Sequence, residues 1–188
     1  PSMVSRCFAS YGTSIQSAVG GGILAFGDRM GGLGEQLAKL MSERLAPLDP
    51  ANRTVEDLSP DLNRLAHEIV ADAQISGGRV PGYGIPLHNA DPRAPQVLDI
   101  AREEGVFGVY CAFATHIEQA IADKRAETGG GGVPMNLDGV GAAVILDLGF
   151  DWRTTRMFLL TPRSVSMGAH FLEEQAQDTT WRHIPASD

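Results

Sequence analysis

Apolar residues recur at intervals of three and four along most of the chain, which places them on one face of an α-helix. The segment 33–45 shows this spacing most clearly, with one stripe formed by Leu37, Leu40, Met41 and Leu45. No segment alternates apolar and polar residues between turn signals, as a half-buried β-strand does. The sequence therefore predicts an all-α fold.

Helix-start signals divide the chain further. Ser59 and Pro60 are a typical N-cap and first helical residue, and the face of the helix that follows holds Leu62, Leu65, Ala66, Ile69, Val70 and Ala73. Further helices are predicted over residues 14–26, 91–105, 107–127, 138–149 and 151–177. A loop rich in glycine and proline spans residues 75–95, a length that is uncommon unless the loop is functional or disordered.

Composition argues against several classes of protein. The formal net charge is −8 and the longest basic cluster is Lys124-Arg125, so we expect no nucleic-acid partner. No apolar stretch reaches the roughly 18 residues of a membrane span, and no signal peptide is recognisable, so we expect a cytoplasmic protein with no membrane partner. Cys7 and Cys111 match no metal-ligand spacing; we expect buried thiols and no metal.

Two glycine clusters, "GGGILAFG" and "GDRMGGLGEQL", invite comparison with phosphate-binding loops. No predicted strand precedes them, and neither GxGxxG nor GxxxxGK fits them in register. We interpret them as sites of close helix packing and a hinge.

Asp138 stands in "VPMNLDGVGAAVILDLGF", at the start of a run of small apolar residues. An unpaired carboxylate buried there would be costly, whereas the free N–H groups at a helix start favour an anion. Asp138 is therefore either an N-cap or a carboxylate held for chemistry, and the stretch by itself does not separate the two.

Two further places carry candidate functional groups. The loop "GYGIPLHNADPRA" holds His88, Asp91 and Arg93, which form either a binding group or a turn with Asp91 as N-cap and Arg93 in solvent. Arg163 is expected inside an apolar helix, where a buried guanidinium needs a carboxylate or phosphate partner. That partner is either a ligand or a structural ion pair.

These motifs resemble the citrate synthase superfamily, and most of all its citryl-CoA lyase branch, which includes the lyase end of ATP-citrate lyase. The stretches "PMNLDGVGAAVILDLGF", "TPRSVSMGAHFLEE" and "WRHIP" resemble the family's C-terminal part. "GILAFGDRMGGLGEQL" is similar to the branch's "GDRFGG" segment, and "PGYG…DPRA" resembles the family's "GxGH…DPR" loop. The similarity covers nearly the whole chain in the family's order, as in the C-terminal portion of a longer enzyme.

The resemblance implies a two-lobed helical fold that forms a homodimer. Residues 1–31 and 143–188 would belong to the large domain, and 32–142 to the small one. It also implies chemistry between a CoA thioester and a carboxylate-rich 2-oxo acid such as oxaloacetate. Asp138 would move the proton at the thioester's α-carbon, while Arg93 and Arg163 would bind substrate carboxylates.

The chain departs from the family pattern at two histidine positions. Synthases carry a histidine where this chain has Met30, and the lyase branch lacks it, which favours a lyase. The second family histidine is replaced by Ile85, and His88 lies three residues further on. We therefore expect a citryl-CoA lyase-type enzyme with Asp138 and His88 as catalytic residues. The alternatives are a citrate or methylcitrate synthase-like acyltransferase and a catalytically silent subunit that binds CoA or tricarboxylates.

Overall fold

The computed structural model describes residues 1–85, 90–178 and 180–182. Within this part the chain forms helices, with no strand beyond isolated bridges, which confirms the all-α prediction. The α-helices are α1 (Ser2–Ser10), α2 (Ile15–Leu24), α3 (Leu33–Leu45), α4 (Val55–Ile75), α5 (Arg93–Glu103), α6 (Val109–Ala126), α7 (Leu137–Asp147) and α8 (Thr155–Ala176). Short 3-10 helices lie at Ala46–Leu48, Pro50–Asn52 and Trp152–Thr154. Across the described ranges, no helix combines the length and apolar character needed to span a bilayer.

The chain divides into two compact units. The inner unit is Leu33–Thr155, and the terminal unit is Pro1–Gly32 together with the described residues from Arg156 onward. The assignment of residues 1–31 and 143–188 to a large domain, and of 32–142 to a small one, stays a prediction.

The core of the inner unit lies where α4 packs on α6 and α7 packs on α3 and α6. The predicted stripe of α3 is buried at Leu37, Met41 and Leu45, and Leu40 packs at its edge. The predicted face of α4 is buried as well, at Leu62, Leu65, Ala66, Ile69 and Val70. The periodicity therefore identified the faces that form this core.

The start of α4, however, was predicted wrongly. The helix begins at Val55, and Pro60 lies inside it. Thr54 is the N-cap: its hydroxyl accepts the backbone N–H of Asp57 at 3.2 Å, and the Asp57 carboxylate accepts the N–H of Thr54 at 3.3 Å. This capping box, worth about 1 kcal/mol, and the burial of Leu58, worth about 1.5–3 kcal/mol, offset the roughly 3 kcal/mol cost of an interior proline.

In the terminal unit, the glycines of α2 allow the close packing that their clustering predicted. A Cβ on Gly21 would lie 2.8 Å from the Phe8 ring, and one on Gly22 would lie 2.7 Å from the Met167 sulfur. The same unit holds the buried Glu174, whose carboxylate accepts hydrogen bonds from Arg6 at 3.0 Å and Arg182 at 2.5 Å. The hydrogen bond from Arg182, together with that from Arg6, lowers the pKa of Glu174. The Arg182 bond also ties the segment that follows α8 to the helix that carries Glu174.

The observed start of α4 can be tested by replacing Thr54 and Ser59, one at a time, with alanine. Thr54→Ala should lower the free energy of unfolding by about 1 kcal/mol, because it removes the acceptor for the Asp57 N–H. Ser59→Ala is the matched control, and should change the free energy by less than about 0.5 kcal/mol because Ser59 lies within the helix. Urea denaturation measures both. A larger loss in Ser59→Ala would favour the start predicted from the sequence.

Candidate active site

The first turn of α7 holds Asp138, but the N-cap of this helix is Asn136. The Asn136 side-chain oxygen accepts the backbone N–H of Asp138 at 2.9 Å and of Gly139 at 3.1 Å. The interpretation of Asp138 as N-cap is therefore wrong, because a residue two positions earlier already fills that role. Asp138 is left half-buried in the first turn, where the helix dipole favours its charge.

A short antiparallel pairing seats the glycine loop on the start of α7. The N–H of Gly84 donates to the carbonyl of Pro134 at 2.7 Å, and the N–H of Asn136 donates to the carbonyl of Gly82 at 3.0 Å. The Asn136 amide group also donates to the carbonyl of Gly84 at 2.6 Å. Asn136 therefore both caps the helix and holds the loop that leads to Ile85.

Two glycines make this approach possible. Gly82 has φ +86°, and a Cβ on it would lie 2.8 Å from the Cα of Gly139. A Cβ on Gly139 would run into the carbonyl oxygen of Gly82 and lie 2.7 Å from Cγ of Met135. The loop and α7 touch backbone to backbone, so no side chain fits between them.

A buried carboxylate, that of Asp91, joins the start of α5 to the start of α7. It accepts from Arg93 three times: from the backbone N–H at 3.1 Å, from Nε at 2.9 Å and from Nη2 at 2.8 Å. A fourth hydrogen bond comes from the N–H of Leu137, at 3.0 Å from the same carboxylate oxygen, Oδ2, that Arg93 Nη2 binds. The hydrogen bonds from Arg93, with that from Leu137, lower the pKa of Asp91 to about 2.

Arg93 is therefore not simply solvated, as one of the sequence interpretations held. Its guanidinium pairs with Asp91 while about half of the side chain stays exposed. The hydrogen bond to Asp91 raises the pKa of Arg93, and the charge of Asp138 contributes in the same direction. The structure thus brings two of the predicted site residues, Arg93 and Asp138, into one electrostatic neighbourhood of the inner unit.

The other predicted site residues lie elsewhere. Arg163 belongs to α8 of the terminal unit and is exposed, so the expectation of a buried guanidinium is wrong. The reason is that the apolar residues around it do not form a buried face here: Val165 is itself 75% exposed, and only Met167 of this stretch is buried. His88 lies outside the described residues. In the part of the chain that is described, no three His, Cys, Asp or Glu side chains cluster as metal ligands.

The opposite end of α7 carries a carboxylate that the sequence reasoning missed. Asp147 accepts backbone N–H groups of Gly108, Tyr110 and Cys111 at 2.8–2.9 Å and so caps α6 from outside. The signal available was that Gly108, the N-cap of α6, has no side chain to do this. Burial, followed by the nearby Asp147 charge, raises the pKa of the Cys111 thiol.

A cavity of about 730 Å³ opens at this end of α7, between the start of α4 and the start of α6. Its walls include the aromatic rings of Phe107, Tyr110 and Trp152. Of the predicted functional residues that the structure describes, none lines this cavity.

Comparison with known families decides what this arrangement belongs to. The family described as citrate synthase, C-terminal domain, matches residues 2–184. The chain belongs to the citrate synthase family. Among curated proteins, no significant sequence match is found.

Solved structures show the same family likeness. The citryl-CoA lyase of Hydrogenobacter thermophilus is 28% identical, with a TM-score of 0.79, and the match covers 99% of this chain and 66% of the lyase. The citrate synthase of Thermotoga maritima is 19% identical, with a TM-score of 0.74, over 100% of this chain and 47% of that protein. The ATP citrate lyase of Methanothrix soehngenii, solved with citrate and coenzyme A, is 18% identical, with a TM-score of 0.69. That match covers 98% of this chain and 29% of the ATP citrate lyase. The last two similarities show the fold alone. The chain spans less than two thirds of the length of each of these three proteins.

The backbone contact beside Asp138 is open to a direct test. Gly139→Ala should lower the free energy of unfolding by about 1–3 kcal/mol, because the new methyl group meets the Gly82 backbone and the buried Met135. Gly141→Ala, two residues on in the same helix, has open space around it and should be neutral or stabilise by up to about 1 kcal/mol. Denaturant unfolding compares the two variants. Equal effects would mean that the loop does not touch α7 as described.

Proposed function

We propose that this chain is part of a citryl-CoA lyase-type enzyme, which makes or breaks a carbon–carbon bond between an acetyl-type CoA thioester and a 2-oxo acid such as oxaloacetate. The observation that carries the proposal is that Asp138 lies in the first turn of α7, and that Asp91 joins the start of this helix to the guanidinium of Arg93. The match of 99% of the chain to a citryl-CoA lyase at 28% identity supports this choice within the family. The CoA thioester is a substrate, and the proposal requires no metal.

Asp138 is the proposed proton-transfer group. In cleavage, the hydroxyl of citryl-CoA loses its proton and the alkoxide collapses to a ketone. The electron pair of the broken carbon–carbon bond passes to the thioester enolate, and Asp138 delivers a proton to its α-carbon. In the direction of synthesis, Asp138 removes that proton. A group with this task must be held in a fixed position within hydrogen-bond reach of the α-carbon.

Arg93 and Arg163 are proposed to bind substrate carboxylates, a role suited to the planar fork of a guanidinium. The half-exposed Arg93 side chain is accessible to a ligand, and so is the exposed Arg163. His88 is proposed to accept the proton of the substrate hydroxyl in cleavage and to return it in synthesis.

Met30 favours a lyase over a synthase, because the lyase branch that the chain resembles also lacks the histidine that synthases carry at this position. Ile85 bears on activity itself, because an alkyl side chain cannot donate to a substrate oxygen. Loss of one preorganised donor commonly costs a factor of about 10² to 10³ in turnover. An enzyme with Ile85 is therefore expected to be slow rather than inactive, unless His88 replaces the missing donor.

The role of Asp138 is tested by Asp138→Asn in the full-length protein. Asparagine keeps the size and polarity, and Asn136 caps the helix in either case, so the melting temperature should hardly change. Cleavage of citryl-CoA should fall by a factor of about 10² or more, because general acid–base catalysis is lost. Binding of the CoA thioester should persist or tighten as negative charge is removed.

Melting curves, a thioester titration and a cleavage assay measure these effects, with His88→Ala assayed beside Asp138→Asn. Retained cleavage in Asp138→Asn would exclude the proposed role of Asp138. Condensation of acetyl-CoA with oxaloacetate, without cleavage of citryl-CoA, would favour the acyltransferase. Thioester binding with neither reaction in the unmutated protein would favour a silent subunit.

We also propose that the protein is a homodimer of the cytoplasm, with the terminal unit at the subunit interface. That unit exposes large apolar side chains on α2 and α8: Leu24 at 85%, Val165 at 75%, Met157 at 64% and Leu172 at 57%. A contiguous exposed apolar patch marks an interaction site, and we propose that these side chains form one.

The proposed assembly is checked by light scattering at micromolar concentration. We expect a dimer with an interface on the order of 2,000 Å² or more. Leu24→Glu should weaken it, because a carboxylate would be buried at the interface. Ile75→Glu, equally exposed but in the inner unit, should leave the dimer intact. A monomeric unmutated protein would contradict the proposal.

A further inference from the structure

Asp91 makes four hydrogen bonds that divide between two elements. Three come from Arg93 at the start of α5, and one comes from the N–H of Leu137 at the start of α7. Leu137 directly precedes Asp138 in the chain. One buried carboxylate therefore contacts both the arginine proposed to bind substrate and the backbone that carries the proposed proton-transfer group.

We propose that Asp91 is a positioning residue, which fixes the Arg93 guanidinium and the first turn of α7 relative to each other, so that a substrate carboxylate held by Arg93 is in register with Asp138. This inference rests on the proposed function. It adds to that function a residue that does not touch the substrate and acts through two that do.

The geometry of the Asp91–Arg93 pair leaves Arg93 able to bind a ligand. Asp91 occupies the Nε edge of the guanidinium, through Nε and one hydrogen of Nη2. One hydrogen of Nη1 and the second hydrogen of Nη2 lie along the end of the guanidinium, and this edge matches a second carboxylate in a bidentate pair. Asp91 thus orients the arginine without using the edge that a substrate needs.

Burial makes this orientation rigid. The Asp91 side chain is only 1% exposed, whereas that of Arg93 is 52% exposed. A carboxylate cut off from water keeps its hydrogen-bond partners, since leaving one unmade would be costly. The pKa of Asp91, lowered to about 2 chiefly by the Arg93 hydrogen bond, keeps it ionised at any pH used for assays. An asparagine at this position can accept with one atom only, and its NH₂ group would face a guanidinium that also donates.

Asp91→Asn in the full-length protein tests the inference. The KM for citryl-CoA, or for oxaloacetate in synthesis, should rise by about tenfold to a hundredfold, since a misplaced binding group costs on that order. The turnover number should fall as well, because α7 loses the bond at Leu137. The dissociation constant of citrate, measured by calorimetry, should rise together with KM.

Asp147→Asn is the matched control. Asp147 also accepts backbone N–H groups at a helix start, but at the far end of α7 from Asp138. This variant should lose stability without a change in KM or in citrate affinity. An equal KM change in the two variants would reduce Asp91 to a structural residue and overturn the inference.

A double-mutant cycle with Arg93→Ala separates positioning from general damage. If Asp91 acts on binding through Arg93, then adding Asp91→Asn to Arg93→Ala should leave KM and citrate affinity unchanged within about twofold. If the KM changes of the two single variants instead multiply in the double variant, the inference is overturned while the proposed function stands. An unmutated protein that neither reacts nor binds citrate would overturn the proposed function, and the inference with it.

Discussion

The candidate site depends on how the first turn of α7 is held. Asn136 caps the helix with its side-chain oxygen and binds the glycine loop with its side-chain amide, while its backbone N–H pairs with Gly82. A single residue therefore accepts two of the free N–H groups at the helix start and fixes the glycine loop against it. Asp138 gains a defined position because a neighbour, rather than its own carboxylate, does the capping.

Three buried or partly buried carboxylates accept hydrogen bonds that join separate elements of this acidic protein. Asp91 links the starts of α5 and α7, Asp147 caps α6 from the end of α7, and Glu174 ties two arginines of the terminal unit together. Each carboxylate is matched to donors that would otherwise be unpaired, which offsets the cost of removing it from water. Carboxylates used in this way hold together elements that are distant in sequence.

Met30 and Ile85 stand where the resemblance to the citrate synthase family leads us to expect histidines. Neither side chain can donate or accept a proton. On the proposed function, the chain keeps the carboxylate at the start of α7 and lacks two groups that could exchange protons with a substrate. For this reason, the reaction direction and rate are the properties most in need of measurement.

Much of the fold followed from local sequence alone. The helical spacing of apolar residues identified the buried faces of α3 and α4, because a stripe at intervals of three and four has one favourable way to leave water. The motifs around Asp138 and Arg93 pointed to the family, which the match over residues 2–184 confirms. These features are carried by neighbours in the chain, so the sequence by itself determined them.

Tertiary structure decided what depended on partners distant in the chain. Ser59 and Pro60 looked like a helix start, but the Thr54 capping box and the buried Leu58 extended α4 past them. Arg163 looked buried because its neighbours are apolar, yet that face of α8 is exposed. Asp91 read as a local cap, and only the folded chain brings Leu137 to it. Capping and burial depend on which groups meet in space, and a hydrogen bond across 46 residues leaves no periodic trace in the sequence.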